Sequence, residues 1–465
     1  MPTAKRPSAP AAPLAVRMAH ALAGFAYANL SPEVVAKAKL CIYDLLSSAL
    51  AAGELPWSRQ SAAIARASSG GAARGAAIIG TSDVVSIHDA AFANGVRSHG
   101  LVRDDMHVGS VSHLGTVLIP TLLALAHTTR AGGKDLLTAL VAGYEVGGKV
   151  GRMVMDVEVS KVFRPTGTVG PIAGAAAGAK LLGLNEAQTS AALALATNMA
   201  AGYNEWAATG GSEMFFHNGL AARGAVTAVQ LAAEGAYASP TALDGEAGML
   251  AAFRRPRPPQ VPELFADRRE ILAVFFKPVP ACNYAQTPAQ VALAIALQHK
   301  VRANDIERVS VRVTKAAALY PGCDADGPFE HILQAKMSIQ YNVAAALVHG
   351  NFAERNYVPL ENAEVQALAK RVGVEIDAAL TAAYPQQQGA AVVVHTRRGE
   401  TFEHGADNVE PTDADGVHER FFAAAASALG ETRARELDSA IGTLETYADA
   451  AMLSRLASTA GSATQ

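Results

Sequence analysis

"GTVGPIAGAAAGAKLLGL", residues 167–184, decides the fold class. Gly170, Gly174 and Gly178 recur every four residues with alanines between them. On a helix that spacing makes one smooth face, against which another helix backbone can pack closely. A phosphate-binding loop is the other reading of so many glycines. No Gly-Lys-Ser/Thr follows, however, and no strand pattern precedes the stretch. It is therefore read as a core helix. The start of that helix, Thr166-Gly167-Thr168, still offers hydroxyls and free main-chain N–H groups that favour an anion.

The whole chain has the same texture. Of its 465 residues 50% are hydrophobic but only 6% aromatic, a balance suited to closely packed helices. The length allows roughly two or three domains. Thirty-nine basic and 42 acidic residues are well mixed, for a net charge of −3. That excludes a basic nucleic-acid surface and an acidic tail. Cys41, Cys282 and Cys323 are scattered, which fits a reducing cytoplasm and argues against a structural zinc site. Arg17 and His20 interrupt the apolar stretch near the N-terminus, so no signal peptide is expected. No apolar run reaches the ~18 residues of a membrane span.

Residues 1–13 read as a flexible tail, and helical periodicity then runs to about residue 270. Ser31-Pro32-Glu33 is a helix start, with blocks following at 114–128, 134–151, 170–183, 186–200 and 218–234. The texture changes at residue 271. "IERVSVRVTKAA" (306–317) alternates apolar and polar residues, and "AAVVVHTRRGETFEH" (390–404) reads as two strands about an Arg-Gly turn. With helical segments at 284–299 and 335–349, this predicts a smaller α+β unit over 271–405. The chain then returns to the helical domain over 406–458, and 459–465 form a second tail.

Four stretches carry candidate chemistry. "VRDDMHVGSVSHLG" (102–115) gathers Asp104, Asp105, His107 and His113. The histidines are six apart with no i,i+4 pair, so a metal site is disfavoured. A helix cap and an acid/base centre both remain open. In "FFKPVPACNYAQTP" (275–288), Lys277 sits between aromatics and prolines, where burial would lower its pKa toward that of a base. "GGSEMFFHNGLAARGA" (210–225) places His217 at a polar turn leading into a helix. "AKMSIQYNVAAALVHG" (335–350) sets Ser338 and Tyr341 one turn apart.

In this order, with "AFANGVRSHG" (91–100), "VAGYEVGGKVGR" (141–152) and "FHNGLAARGAV" (216–226), these stretches resemble the MmgE/PrpD family. The resemblance runs from about residue 14 to 428. It implies a mainly α fold, a large all-helical domain plus a smaller α+β lid, usually as a cytoplasmic homodimer. It also implies an active-site cleft between the two, no metal or organic cofactor, and proton removal next to a carboxylate.

Carried over residue by residue, the resemblance makes His113 and Lys277 the acid/base pair, with Asp104 or Asp105 tuning the histidine and Tyr341 donating a hydrogen bond. Arg164, Thr166, Thr168, His107, His217, Ser338, Asn283 and Gln286 would contact substrate. Several positions depart from the family pattern. Val102 stands for an aspartate, Arg164 for a histidine, Met214 for a lysine, and Asn283 and Gln286 for an arginine and a histidine. The expected function is a metal-free lyase, a dehydratase or decarboxylase, acting on a small carboxylate other than 2-methylcitrate. A two-base epimerase and a catalytically diverged paralogue are the alternatives.

Overall fold

The computed structural model describes residues 12–69, 75–253, 255–256, 263–266, 268–358, 360 and 362–459. Most of the two expected tails, 1–11 and 460–465, lies outside the described residues. Pro13 is no tail residue: its carbonyl accepts from Arg17 N–H in the first turn of helix Leu14–Gly24.

The architecture is mainly α, with a smaller α+β part. Helix Pro32–Ala51 starts where its signal predicts, with the Ser31 hydroxyl accepting from Val34 N–H at 3.3 Å. The glycine-rich helix runs Pro165–Leu181, beginning five residues before the periodicity suggested. Proline's fixed φ suits the first helical position, which moves the start back to Arg164-Pro165.

This helix is the centre of one hydrophobic core, packed among helices Gly115–Leu125, Gly133–Val154 and Glu213–Ala233. The glycine face allows the approach: a Cβ on Gly174 would sit 2.6 Å from the Ala225 Cβ. Val417, Phe421, Leu437 and Ile441, from helices Ala414–Leu429 and Glu431–Gly442, return to the same core.

A second core joins helices Gln286–His299 and Ile339–His349 to a four-stranded sheet. Its strands run in the order Val372–Ile376, Ile306–Val313, Ala390–Thr396 and Thr401–Ala406. Only the first pair is parallel. The strand at 306 and the hairpin at 390 match expectation. The parallel strand Val372–Ile376 was not anticipated, because it is short and mostly solvent-facing. The helix expected over 335–349 is broken at Ser338, whose hydroxyl caps the second piece by accepting from Tyr341 N–H.

Two features position the site. Helix Ile87–His99 crosses Glu213–Ala233 at Gly95 and Gly219, so closely that a Cβ on Gly219 would lie 2.4 Å from the Phe92 carbonyl oxygen. This crossing sets His99 near the start of the second helix. The short strand Met106–His107 pairs antiparallel with Val274–Phe275, tying the Asp104–Asp105 turn to the segment that leads into Lys277. Among the described residues no helix is long and apolar enough to cross a membrane.

Gly174→Ala is expected to cost about 1–3 kcal/mol, because the new methyl meets a helix that cannot yield locally. Gly24→Ala, where nothing lies within 4 Å, is expected to change little. Thermal unfolding of the two variants checks the contrast, and equal melting temperatures would contradict the packing argument.

Candidate active site

Helix Ile87–His99 ends at His99, and the turn that follows carries Val102, Asp104 and Asp105. The Asp104 carboxylate lies buried between two imidazoles. Its Oδ1 accepts from His99 Nδ1–H at 2.8 Å, and its Oδ2 lies 3.0 Å from His113 Nδ1. The His113 Nδ1 proton goes to the Asp105 main-chain oxygen at 2.8 Å, since Asp104 Oδ2 sits off the N–H axis. His113 Nε2 is left without a hydrogen-bond partner among the described residues.

On its other edge, His99 Nε2 lies 2.9 Å from Arg164 Nη2. A guanidinium can only donate, so Nε2 must accept and His99 is the neutral Nδ1–H tautomer. Arg164 itself is 4% exposed, stands 5.4 Å from the Trp206 ring, and has a buried Nε with no partner. Among the described residues no carboxylate pairs with it. A buried guanidinium whose direct contacts are an imidazole and an aromatic face is poorly compensated.

Electrostatics follow from burial. Desolvation pushes His113 down to about 3, helped by the Lys277 ammonium and only partly offset by Asp104. His99 is lowered by burial, with Arg164 adding to the effect. Burial opposes ionisation of Asp104, but the two imidazoles and Lys277 outweigh it and hold the carboxyl well below its usual range. Burial raises Asp105 to about 7; its carboxylate accepts from Tyr144 O–H at 2.6 Å and from Gly115 N–H at 3.2 Å. Asp105 thus caps helix Gly115–Leu125. Ligand atoms of His99, Asp104 and His113 all lie within 4.8 Å of one another, a spacing a metal could use. The adjoining Arg164 guanidinium makes this a place for an anion rather than a cation.

His113, His99 and Arg164 line a cavity of about 30 Å³ together with Val102, Met106, Val111, Trp206, Met214 and Met337. The lid side supplies Cys282, Asn283, Tyr284 and Tyr320. Thr166 and Thr168 support this wall: Thr166 Oγ1 accepts from His113 N–H, and Thr168 Oγ1 donates to the Arg164 carbonyl. His217 lies behind Arg164, its Nδ1 unpartnered, and is pushed down to about 4 by burial and the guanidinium.

The other expected residues are engaged elsewhere. Lys277 donates to the carbonyls of Val102 (2.5 Å) and Ala281 (3.3 Å) and does not border the cavity. Lys336 repeats the pattern one residue back, donating to Leu101 and Pro280 carbonyls and to Glu354. Together the two ammonium groups bind the 101–102 turn to the 280–281 turn. His107 is held between Ser110 and Glu270. Gln286 braces the carbonyls of Val279, Ala281 and Cys282, Tyr341 donates to the Asn356 carbonyl, and Ser338 is a helix cap. Each has its own buried partners, and none is among the residues that line the cavity.

Comparison with known proteins gives a matching picture. Residues 16–262 match the MmgE/PrpD N-terminal domain and residues 279–446 the MmgE/PrpD C-terminal domain. The chain belongs to the MmgE/PrpD family. It is 27% identical to the cis-aconitate decarboxylase of Mus musculus over 394 residues, 79% of this chain and 78% of that protein. It is 26% identical to a cis-aconitate decarboxylase-like protein of Aspergillus oryzae over 470 residues, 92% of this chain and 94% of that protein. As an MmgE/PrpD protein with these relatives, the chain is an enzyme of the lyase class.

Sequence reasoning assigned no role to His99, Trp206 or Met337 in this MmgE/PrpD chain. His99 is the last residue but one of the quoted "AFANGVRSHG", and its position five residues before Asp104 was the available signal. Its link to Arg164 spans 65 positions and has no local trace.

With a folded pKa of about 3 and an unfolded one near 6.5, His113 takes up a proton first in the unfolded chain. Its contribution to stability is therefore full above the unfolded value and falls as pH drops toward the folded one. Between pH 7 and 5 the loss is about 2 kcal/mol. The melting temperature of His113→Asn relative to wild type is expected to rise over that interval. A difference that stays constant with pH would contradict the neutral, buried imidazole.

Proposed function

We propose that this protein is a lyase that works on a small carboxylic acid by proton transfer at the carbon next to a carboxylate, with His113 as the base. The observation that carries this reading is Arg164, a buried guanidinium that has an unpartnered Nε and no carboxylate partner among the described residues, on the cavity wall with His113. A substrate carboxylate is the natural counter-ion, and a planar guanidinium can grip it bidentately. Holding the carboxylate there sets the neighbouring carbon beside the free Nε2 of His113.

Charge makes substrate binding and basicity one event. Empty, His113 is a weak base at about 3. An arriving anion offsets the local positive charge and raises the imidazole toward neutral pH, where proton transfer is most effective. His99 and Asp104 carry the coupling, since His99 bonds Arg164 on one edge and Asp104 on the other. In a dehydration His113 takes the α-proton, its electron pair forms the carbon–carbon double bond, and the β-hydroxyl leaves as water after taking up a proton. The relatives' decarboxylase names support a lyase with carboxylate-bearing substrates. No metal or organic cofactor enters this scheme, and a cytoplasmic homodimer with Asn283 contacting substrate from the lid belongs to the same proposal.

An epimerase would need a second base on the opposite face. Lys277, the expected partner, has its ammonium committed to two carbonyls behind the wall, which favours the lyase. Once a substrate is in hand, His113→Gln is expected to lower kcat about 10²–10⁴-fold with the fold intact. Product released in D₂O should carry the loss of water or CO₂. Near-normal turnover by His113→Gln, or deuterium uptake with no leaving group lost, would overturn the proposal.

A further inference from the structure

We infer that the substrate carries a single carboxylate and an alkyl or aryl body, and that a second or third carboxylate is excluded by a cavity wall that offers it no second cation. This rests on the reading of Arg164 as the carboxylate site. Beyond that cation the cavity is lined by valine, methionine and tryptophan side chains and, from the lid, by Cys282, Asn283, Tyr284 and Tyr320, with no second Lys or Arg among the described lining residues.

Arg103, Lys277 and Lys336 lie near, and none of them lines the cavity; the Arg103 guanidinium donates to Ser47 Oγ at 2.8 Å. The Lys277 and Lys336 side chains are fully buried, Lys277 donating to two main-chain carbonyls and Lys336 to two carbonyls and Glu354. His217 is half-buried and neutral near physiological pH, with its pKa at about 4. A second carboxylate would therefore leave water for a wall of methyl groups, thioethers, phenols and an amide, with no cation among them to balance its charge. That exchange is strongly unfavourable, whereas an alkyl group gains from it.

The size of the cavity, about 30 Å³, holds little more than a water or two. Three of its walls are methionines, whose unbranched thioether chains move between rotamers at low cost and refill irregular space. Their repacking opens room for an apolar group and brings no charge to meet a polar one. Two of the lining valines, Val102 and Val111, hold left-handed φ values of 58° and 52°. This is a costly conformation for a β-branched side chain. It keeps both isopropyl groups on the cavity wall.

The test measures binding of 2-methylbut-2-enoate and of citrate to the whole protein by calorimetry at constant ionic strength. Three forms are compared: wild type, Val111→Lys and Arg164→Gln. Val111 is half-buried, and an unbranched lysine relieves its backbone strain, so this variant folds while adding a cation to the apolar wall. Wild type is expected to bind the monocarboxylate at least about tenfold more tightly than citrate. Val111→Lys is expected to shift that ratio toward citrate by about tenfold or more, and Arg164→Gln to lose both ligands.

Citrate binding wild type as tightly as the monocarboxylate, with both lost in Arg164→Gln, overturns the substrate class and leaves the site standing. An unchanged ratio in Val111→Lys also overturns the class. Undiminished binding by Arg164→Gln, or binding of neither acid by wild type, overturns the site reading and the inference with it.

Discussion

A buried guanidinium with no carboxylate partner among the described residues is the constraint on which the rest of the site depends. Arg164 is the N-cap of the glycine-rich helix, held there by the proline that follows, so its side chain leaves the helix start toward the cavity. Its only polar side-chain partner among the described residues is the acceptor nitrogen of His99. That bond fixes the His99 tautomer, which directs a donor at Asp104, which in turn stands beside His113. One charge thus orders His99 and, through it, the Asp104 carboxylate beside His113.

Such a charge is tolerated only in a rigid frame. The frame comes from small residues that let helices 115–125, 165–181 and 213–233 approach until a single added methyl would collide. The lid is held to it by Lys277 and Lys336, each bridging a carbonyl at 101–102 to one at 280–281. The left-handed Val102 turns its carbonyl into this clasp and its side chain into the cavity. One residue thereby serves lid docking and wall chemistry together. An acidic side chain at that position would set a carboxylate on the cavity wall.

The helical core was legible because a four-residue glycine period has one structural meaning over a long stretch. The cluster at Asp104, Asp105 and His113 was legible as chemistry, though not in its division of labour. Nothing local says that Asp105 caps a helix ten residues on, or that His113 gives its Nδ1 proton to a main-chain oxygen. Lys277, Tyr341, Ser338 and Gln286 look like site residues in a linear reading, since polar groups stand out among apolar neighbours. In the fold they satisfy carbonyls and a helix start that would otherwise be buried without partners. His99 and Met337 escaped because their partners arrive from distant segments.

The central claim is that Arg164 awaits a carboxylate, and its own Nε–H signal reports that most directly. The resonance is assigned in the ¹⁵N–¹H spectrum by its loss in Arg164→Lys, and the protein is then titrated with acetate. The account predicts a saturable downfield shift of that proton as a carboxylate oxygen accepts from it. A resonance that stays in place through saturating acetate would contradict the account.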